Sequence, residues 1–343
     1  MPLPKGTYPL TEHWDGQRWT AVPCPSPGSA AEPTRSVLAA VAIDAPDDAW
    51  AVGEWSPIAH VPRSYGLIEH WNGAKWTLVP VPRRRGYTAE LTGVAAISPT
   101  AAWAIGFAST ARGRQVTVFM GWDGSRWRYL PRPVGNSPGG LAAISASDIW
   151  LVGEEGSTTS APTYHTLVEH WNGSRWTIVP APYAYKDQKP NIGLNAVGGS
   201  SSTNVWAAGF YQSGPTGIDT SPLIEHWDGT RWQLQPSQDS LPPKDEGGFH
   251  AIAAVSRTSA WAVGSAFGRA DIALTERWDG VRWTATPSRF RPGVTDPALG
   301  GVAAVDPGLA WAVGRAVNRD DRSIALIEKW NGTSWQQVPN PSP

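Results

Sequence analysis

One eight-residue stretch constrains the fold more than any other feature, because the chain contains it seven times. The first copy runs from Glu12 to Trp19 and reads Glu-His-Trp-Asp-Gly-Gln-Arg-Trp. Neighbouring copies are between 49 residues (Trp122 to Trp171) and 57 residues (Trp14 to Trp71) apart. A period of this length is typical of repeated supersecondary units. The sequence therefore predicts a repeat protein with copies centred on Trp14, Trp71, Trp122, Trp171, Trp227, Trp278 and Trp330.

Each copy is predicted to form a β-hairpin. In the fourth copy, residues 166–171 are mostly apolar and strand-forming, Asn172-Gly173 is a strong turn signal, and residues 175–179 form a second strand. The Asn/Asp-Gly pair accepts a positive φ at little cost, so the turn fixes the register of the two strands. This register is expected to bring the two tryptophans of each copy together.

The chain also contains six copies of a second element, in which a strand of small residues precedes a polar turn and a strand of the type Trp-Ala-Val-Gly. In the first copy these strands are residues 41–43 and 49–53, and we expect the second to end at Gly53. The six tryptophans of this element are Trp50, Trp103, Trp150, Trp206, Trp261 and Trp311. One unit therefore has four strands, of which the hairpin supplies the third and fourth.

Four short antiparallel strands in each unit are typical of a β-propeller blade. The sequence predicts an all-β fold with one propeller domain over residues 1–343. Its half-blade is expected at 7–22 and its full blades at 36–80, 91–131, 141–180, 194–236, 250–287 and 299–339. Either six blades close and the N-terminal hairpin packs outside, or seven positions exist and one lacks its inner strands. We favour seven, because the hairpin would otherwise expose Trp14 and Trp19.

These elements resemble the blades of kelch and galactose-oxidase propellers, in which an apolar strand precedes an aromatic strand ending in glycine and a tryptophan-bearing hairpin. They are even more similar to uncharacterised bacterial propellers with Trp-Asn/Asp-Gly-x-x-Trp and Trp-Ala-Val-Gly repeats. The resemblance covers nearly the whole chain, but Gly53 and Gly106 are single where kelch blades have a glycine pair. Galactose oxidase needs a copper site with a Cys-Tyr crosslink, and the surroundings of Cys24 do not match it.

Composition limits the partners of the protein. The formal net charge of −1 gives no electrostatic reason to expect nucleic acid or a membrane. Cys24 is the only cysteine, which excludes an intrachain disulfide. Motifs for metals, calcium and phosphates are absent from the sequence, so we expect no cofactor. Residues 1–6 lack an apolar signal region, so a soluble, cytoplasmic monomer is expected, although a secreted mature form would have the same features.

The tryptophans are predicted to be core residues and not sugar platforms. Of the 21 tryptophans, fourteen lie in the hairpins and six in the Trp-Ala-Val-Gly strands, and periodic aromatics are most often core. Only Trp55 lies outside the repeat. The repeated glutamate of the third strand is likewise assigned to the blade, and we expect it to pair with a basic residue such as Lys75 or Arg175.

Function is predicted to reside in the loops that join the second to the third strand and the fourth strand to the next first strand. These loops open on one face, break the repeat and differ in length. Aromatic residues outside the repeat are concentrated there, although apolar loop residues also simply pack. The predicted ligand-binding residues are Trp55, Tyr87, Phe107, Tyr164, His165, Tyr183, Phe210 and Tyr211.

Four charged or titratable residues are candidates for catalysis at the mouth of the propeller channel. Glu54, Glu154 and Arg315 directly follow second-strand glycines, and His250 enters a first strand. An imidazole beside a carboxylate can titrate near neutral pH and act as a general acid or base. The alternative interpretation is that His250 is an ordinary loop histidine whose hydrogen bonds are satisfied locally.

The sequence leaves open whether the protein is an enzyme. The first hypothesis is a binding module that holds a small molecule, glycan or peptide on the loop face. The second is a cofactor-independent lyase, hydrolase or cyclase that uses the four candidate catalytic residues. The third is a protein-interaction scaffold with a broad, exposed face.

Overall fold

The computed structural model describes most of the chain and contains only β-strands as regular elements. The described residues are 8–29, 32–58, 63–83, 87–110, 113–135, 137–156, 164–182, 192–213, 219–237, 245–268 and 271–339. Tyr183, one of the predicted ligand-binding residues, lies outside these ranges. The all-β prediction is confirmed.

The strands form one two-stranded and six four-stranded antiparallel sheets, which confirms a β-propeller fold of six blades and a half-blade. The half-blade holds β1 (Leu10–Trp14) and β2 (Trp19–Pro23). Blades 1 to 3 hold β3 (Thr34–Ala45), β4 (Asp48–Pro57), β5 (Tyr65–Trp71), β6 (Trp76–Leu78), β7 (Tyr87–Ser98), β8 (Ala101–Thr110), β9 (Gln115–Trp122), β10 (Trp127–Tyr129), β11 (Ser137–Ser145), β12 (Asp148–Gly156), β13 (Tyr164–Trp171) and β14 (Trp176–Ile178). Blades 4 to 6 hold β15 (Ile192–Ser201), β16 (Asn204–Ser213), β17 (Asp219–Trp227), β18 (Trp232–Gln235), β19 (Glu246–Ser256), β20 (Ser259–Phe267), β21 (Ile272–Trp278), β22 (Trp283–Ala285), β23 (Thr295–Asp306), β24 (Leu309–Val317), β25 (Ser323–Trp330) and β26 (Trp335–Gln337).

The repeated hairpin has the predicted turn and register. In blade 4, Trp227 lies directly opposite Trp232. Gly229 has a φ of +99°, a conformation that residues with a Cβ rarely adopt. The Asp228 carboxylate accepts hydrogen bonds of 2.8 and 3.0 Å from the backbone N–H groups of Thr230 and Arg231. The two turn residues therefore have different roles. Aspartate or asparagine accepts hydrogen bonds from the turn backbone, and glycine adopts the positive φ that the turn requires.

The second-strand glycine does not end its strand, contrary to the expectation for Gly53. Strand β4 continues through Pro57, and β20 continues beyond Gly264 through Phe267. The glycine instead faces a β-bulge in the first strand, which in blade 5 lies between Phe249 and Ala251. A Cβ added to Gly264 would lie 2.0 Å from the Gly248 carbonyl oxygen, so no other residue fits there. The same 2.0 Å approach occurs at Gly53, Gly106, Gly209 and Gly314.

The chain divides into two compact units, one of Met1–Ile149 with His170–Thr177 and the other of Trp150–Glu169 with Ile178–Pro343. Within each unit, the second-strand tryptophan of one blade packs on the tryptophan pair of the next. In the first unit, the Trp50 ring centroid lies 4.9 Å from that of Trp122 and 5.1 Å from that of Trp127. In the second unit, Trp206 lies 5.0 Å from Trp278 and 5.1 Å from Trp283. These repeated tryptophans are core residues.

The third-strand glutamates are core residues too, and in two blades a serine hydroxyl contacts the glutamate where a basic side chain was expected. Glu69, Glu169, Glu225, Glu276 and Glu328 are completely buried. In the second unit the hydroxyl of Ser237 donates to Glu276 at 2.7 Å, and that of Ser288 donates to Glu328 at 2.6 Å. Neither Lys75 nor Arg175 forms an ion pair among the described residues. Burial raises the pKa of Glu328 to about 7 and so favours its neutral form, for which a hydroxyl is a suitable partner.

Candidate functional site

The single tryptophan outside the repeat lies in a cluster with a tyrosine and an arginine in blade 1. The ring centroids of Trp55 and Tyr65 are 4.8 Å apart with an interplanar angle of 33°. The guanidinium carbon of Arg83 lies 5.7 Å from the Trp55 centroid and 5.0 Å from the Tyr65 centroid. Both rings are half-buried and Arg83 is exposed. We call these three side chains the aromatic-arginine cluster.

The strand geometry of blade 1 explains why the two rings meet. Strand β4 continues past Gly53, and β5 begins at Tyr65, so that Trp55 and Tyr65 are directly opposite each other in the antiparallel ladder. Side chains at directly opposed positions are close enough to stack. Arg83 comes from the segment between the fourth strand of this blade and the first strand of the next. Its position over the rings is a cation-π arrangement.

A pair of glutamates lies in the same unit, at the contact between blades 1 and 2. Glu54 follows Gly53 in β4, and Glu90 lies in β7, directly opposite Phe107 of β8. Glu90 is exposed to solvent, and partial desolvation by its neighbours, followed by the negative charge of Glu54, raises its pKa above the ordinary value. Glu90 therefore holds its proton to a higher pH than a solvated glutamate. Glu90 is not among the residues predicted from sequence; the signal that could have found it is its register position opposite Phe107.

In the second unit, the side chains of Glu154 and Phe210 both lie close to Gly193. A Cβ added to Gly193 would lie 2.9 Å from Phe210 Cε1 and 3.2 Å from Glu154 Oε2. The backbone of Gly248 approaches Phe210 from the next blade, since a Cβ at Gly248 would lie 2.9 Å from Phe210 Cβ. Two glycines therefore leave the space that the Phe210 side chain occupies.

His250 contacts the backbone of the next blade. It occupies the β-bulge of β19, and its Nδ1–H donates a 3.0 Å hydrogen bond to the Leu299 carbonyl oxygen. Asn195 occupies the same bulge position in blade 4, and its side-chain amide donates a 2.8 Å hydrogen bond to the Phe249 carbonyl oxygen. The two residues therefore make the same contact between blades. Arg315, the other basic candidate, is exposed.

The remaining predicted ligand-binding residues are spread over blades 2, 3 and 4. Tyr87 is exposed at the start of β7, and Phe107 is half-buried within β8. His165 and Tyr211 are half-buried, and Tyr211 pairs with Ile192 and Ser221 in its sheet. The backbone of Tyr164 begins β13. The two rings of the aromatic-arginine cluster both belong to blade 1. A role in ligand binding for the residues of the other blades stays a prediction.

Metal sites and membrane spans are absent from the described ranges. No group of three or more His, Cys, Asp or Glu side chains there is placed to hold a metal ion. The same part of the chain contains no helix that is long and apolar enough to cross a membrane.

No protein-family model and no curated protein matches the sequence. Among solved structures, an ulvan lyase bound to -[GlcA(1-4)Rha3S]- has a TM-score of 0.55 and 10% identity, covering 85% of this chain and 80% of the lyase. A protein of unknown function from Dyadobacter fermentans has a TM-score of 0.53 and 11% identity, covering 89% and 95%. The six-bladed fucose-binding lectin of Aleuria aurantia has a TM-score of 0.48 and 13% identity, covering 93% and 99%. At these identities the likeness shows the propeller fold alone, and the kelch relationship stays a prediction.

Proposed function

We propose that this propeller is a glycan-binding protein whose site is the aromatic-arginine cluster. The observation that carries the proposal is the position of Trp55, which lies outside the repeat and packs against Tyr65 under a guanidinium group. The repeated tryptophans fill the contacts between blades, whereas this one has no such place in the repeat. A half-buried tryptophan that the fold does not require is available for a ligand.

The chemistry of the cluster suits a sugar. A pyranose presents an apolar C–H face that packs on an indole or phenol ring, and hydroxyl or acidic groups at its edge that accept hydrogen bonds. Trp55 and Tyr65 supply the aromatic surface, and Arg83 supplies up to five N–H donors in a planar fork. The protein therefore has a small apolar surface with one directed polar group, the usual composition of a small-ligand site.

Glycan-acting proteins with this fold are consistent with the proposal. The ulvan lyase with the similar fold is bound to a saccharide that contains a uronic acid and a sulfated sugar. That property belongs to the lyase, and its 10% identity gives no residue correspondence. The support for glycan binding in this chain is the geometry of its own three side chains.

A second candidate function is cofactor-independent catalysis, and the glutamate pair of the first unit favours it. Glu90, whose pKa is raised by partial desolvation and by the negative charge of Glu54, can hold a proton for donation. His250, Glu154 and Arg315 remain candidates for the same kind of chemistry in the second unit. A small molecule or peptide as ligand, and a scaffold for another protein, remain alternatives to a glycan.

Glycan binding is tested by screening a panel of neutral, uronic and sulfated oligosaccharides, followed by calorimetric titration of those that bind. We expect Trp55→Ala and Arg83→Ala to weaken binding at least tenfold while the melting temperature stays close to that of the wild type. Phe267→Ala is the matched control, because Phe267 is an exposed aromatic at a strand end in the other unit. Unchanged affinity in both cluster variants would overturn this site.

The enzyme alternative needs a separate measurement with the same oligosaccharides. Release of new reducing ends or of unsaturated sugars over time would show turnover, and Glu90→Gln removes the proposed proton donor while keeping its size. Turnover by the wild type that is lost in Glu90→Gln would put catalysis ahead of binding. Binding without product, in both proteins, would favour the binding module.

A further inference from the structure

The polar groups of the aromatic-arginine cluster are nearly all hydrogen-bond donors, and within the described part of the chain they have no hydrogen-bond or ion-pair partner. The side chains of Trp55, Tyr65 and Arg83 interact through one ring contact and two cation-π contacts, none of which uses an N–H or O–H group. An indole and a guanidinium only donate hydrogen bonds, whereas a phenol donates and accepts. A ligand that satisfies this cluster must therefore supply acceptors.

The hydroxyl groups beside the cluster already bond to one another. Ser36 is buried and lies directly opposite Trp55 in the ladder of β3 and β4. Its Oγ lies 3.2 Å from Ser26 Oγ, which in turn lies 2.9 Å from Thr34 Oγ1. These three hydroxyls satisfy one another within the fold, and the donors of the cluster are left to a ligand.

The carboxylate that is nearest in sequence projects away from the two rings. Glu54 precedes Trp55 in β4, and successive side chains of a strand project from opposite faces. Glu54 pairs with Gly66, and a Cβ added to Gly66 would lie 3.5 Å from the Leu91 side chain of blade 2. Glu54 therefore faces blade 2, which agrees with its effect on Glu90. Its charge lies on the other side of β4 from the rings.

Arg83 is held in position without the use of its N–H groups. Its guanidinium carbon lies 5.0 Å from the Tyr65 centroid and 5.7 Å from the Trp55 centroid. Cation-π attraction acts between the charge and the ring faces, so the planar fork of five N–H donors stays available. Such a fork binds an oxyanion through two parallel hydrogen bonds. A guanidinium that is placed before the ligand arrives also loses less freedom on binding.

We propose that the glycan bound at this cluster is acidic, an inference that rests on the glycan site proposed above. The sugar carries a carboxylate or a sulfate group that accepts hydrogen bonds from Arg83, and its apolar face covers the exposed part of the Trp55 and Tyr65 rings. A neutral sugar hydroxyl brings a donor as well as an acceptor, so it suits a site of donors less well. Hydrogen bonds between two charged groups are also stronger than those between neutral groups.

Matched ligands that differ in their anionic group test this inference. Calorimetry compares a galacturonate oligosaccharide with its methyl ester, and a sulfated galactan oligosaccharide with its desulfated form. We expect at least one charged form to bind at least tenfold more tightly than its neutral form, and the pair that shows this preference identifies the anionic group. High salt should reduce the preference. Equal affinities within both pairs, or a neutral glycan that binds as tightly as any charged one, would overturn the inference.

Arg83→Gln tests which residue recognises the charge, because it removes the guanidinium and keeps a polar side chain. The charged form should lose at least tenfold in affinity and bind like its neutral form, whose own affinity should change less than twofold. Trp55→Ala removes ring surface that both forms use, so both should weaken and the preference should persist. Arg126→Gln is the matched control, because Arg126 is an exposed arginine in the turn between β9 and β10. Equal weakening of both forms in Arg83→Gln would overturn the role of Arg83.

Failure of this inference and failure of glycan binding give different results. A neutral glycan that binds through Trp55, with no preference for charge, would leave the glycan site in place and remove the acidic ligand. Absence of binding by every oligosaccharide of the panel would overturn both. An unchanged melting temperature of Arg83→Gln would show that a loss of affinity does not arise from unfolding.

Discussion

The Ser237 hydroxyl donates a 2.7 Å hydrogen bond to Oε1 of Glu276, joining the segment after the fourth strand of blade 4 to the third strand of blade 5. Ser288 makes the corresponding bond of 2.6 Å to Glu328 of blade 6. Both serines follow the fourth-strand tryptophan of their blade by five residues. The contact therefore recurs in two neighbouring blades, and it places a polar bond inside an otherwise apolar contact between blades.

Removing the Ser237 hydroxyl is expected to destabilise the protein. Glu276 is completely buried, and loss of a donor to a buried polar group costs about 1–3 kcal/mol. Urea denaturation of Ser237→Ala should show a decrease of that size in the free energy of unfolding. Ser237→Thr keeps a hydroxyl and should recover most of it. Equal stability of wild type and Ser237→Ala would show that the bond contributes nothing net.

Glu225 is expected to make stability depend on pH. Both of its carboxyl oxygens are buried without a hydrogen-bond partner among the described residues, and burial raises its pKa to about 8. Between its ordinary pKa of 4.5 and this value, the folded state holds a proton that the unfolded state has released. The free energy of unfolding therefore falls as pH rises through this interval, by about 1.4 kcal/mol per pH unit for one group, and levels off above pH 8.

Glu225→Gln removes this titrating group, so the free energy of unfolding should fall less steeply with pH, by the contribution of one proton. Urea denaturation from pH 5 to pH 9 measures the difference. Glu69 and Glu328, whose pKa values are raised by burial to about 7, should still give a decline up to that pH. Ala181→Ser adds a hydroxyl at the position equivalent to Ser237, five residues after Trp176. The new hydroxyl should donate to Glu225 as Ser237 donates to Glu276, and so raise stability most at pH 8, where Glu225 loses its proton. An unchanged pH profile in both variants would contradict the assignment of the slope to Glu225.

The second-strand glycine is expected to be irreplaceable where the bulge carbonyl approaches it. Gly264→Ala would place a Cβ 2.0 Å from the Gly248 carbonyl oxygen, so the ladder must shift, and we expect a loss of more than about 3 kcal/mol or failure to fold. Gly300→Ala is the matched control, because no atom lies within 4 Å of its added Cβ. Circular dichroism melts compare the two. A well-folded Gly264→Ala would refute the steric argument.

The fold was predictable from sequence because the residues that repeat are those that form the strands and the core of each blade. Seven hairpins and six Trp-Ala-Val-Gly elements specify the strands and the core, and register follows from the Asn/Asp-Gly turns. The role of Gly53 was not predictable from its place after a strand. Its neighbour is a carbonyl displaced by a bulge in another strand, and a bulge shifts register without leaving a clear sequence signal.

The candidate site was less predictable, because its residues are close only through pairing between strands. Trp55 was identifiable as the tryptophan that does not repeat, but its contacts with Tyr65 and Arg83 depend on how far β4 and β5 extend. Glu54 and Glu90 belong to neighbouring blades, and no local pattern relates them. The serine partners of Glu276 and Glu328 were not predicted, because a hydroxyl five residues after a tryptophan is no recognised signal.

His250 is expected to tolerate replacement by asparagine if its role is the one that Asn195 has in blade 4. Both side chains donate a hydrogen bond to a backbone carbonyl of the next blade, at 3.0 Å from His250 and 2.8 Å from Asn195. His250→Asn keeps an N–H donor and should keep the melting temperature, whereas His250→Ala loses the bond and should cost about 0.5–1.5 kcal/mol. If the imidazole were a general acid or base, any turnover would be lost equally in both variants, because an amide does not titrate. Stability that follows the donor, with activity unchanged in His250→Asn, would assign His250 to the contact between blades.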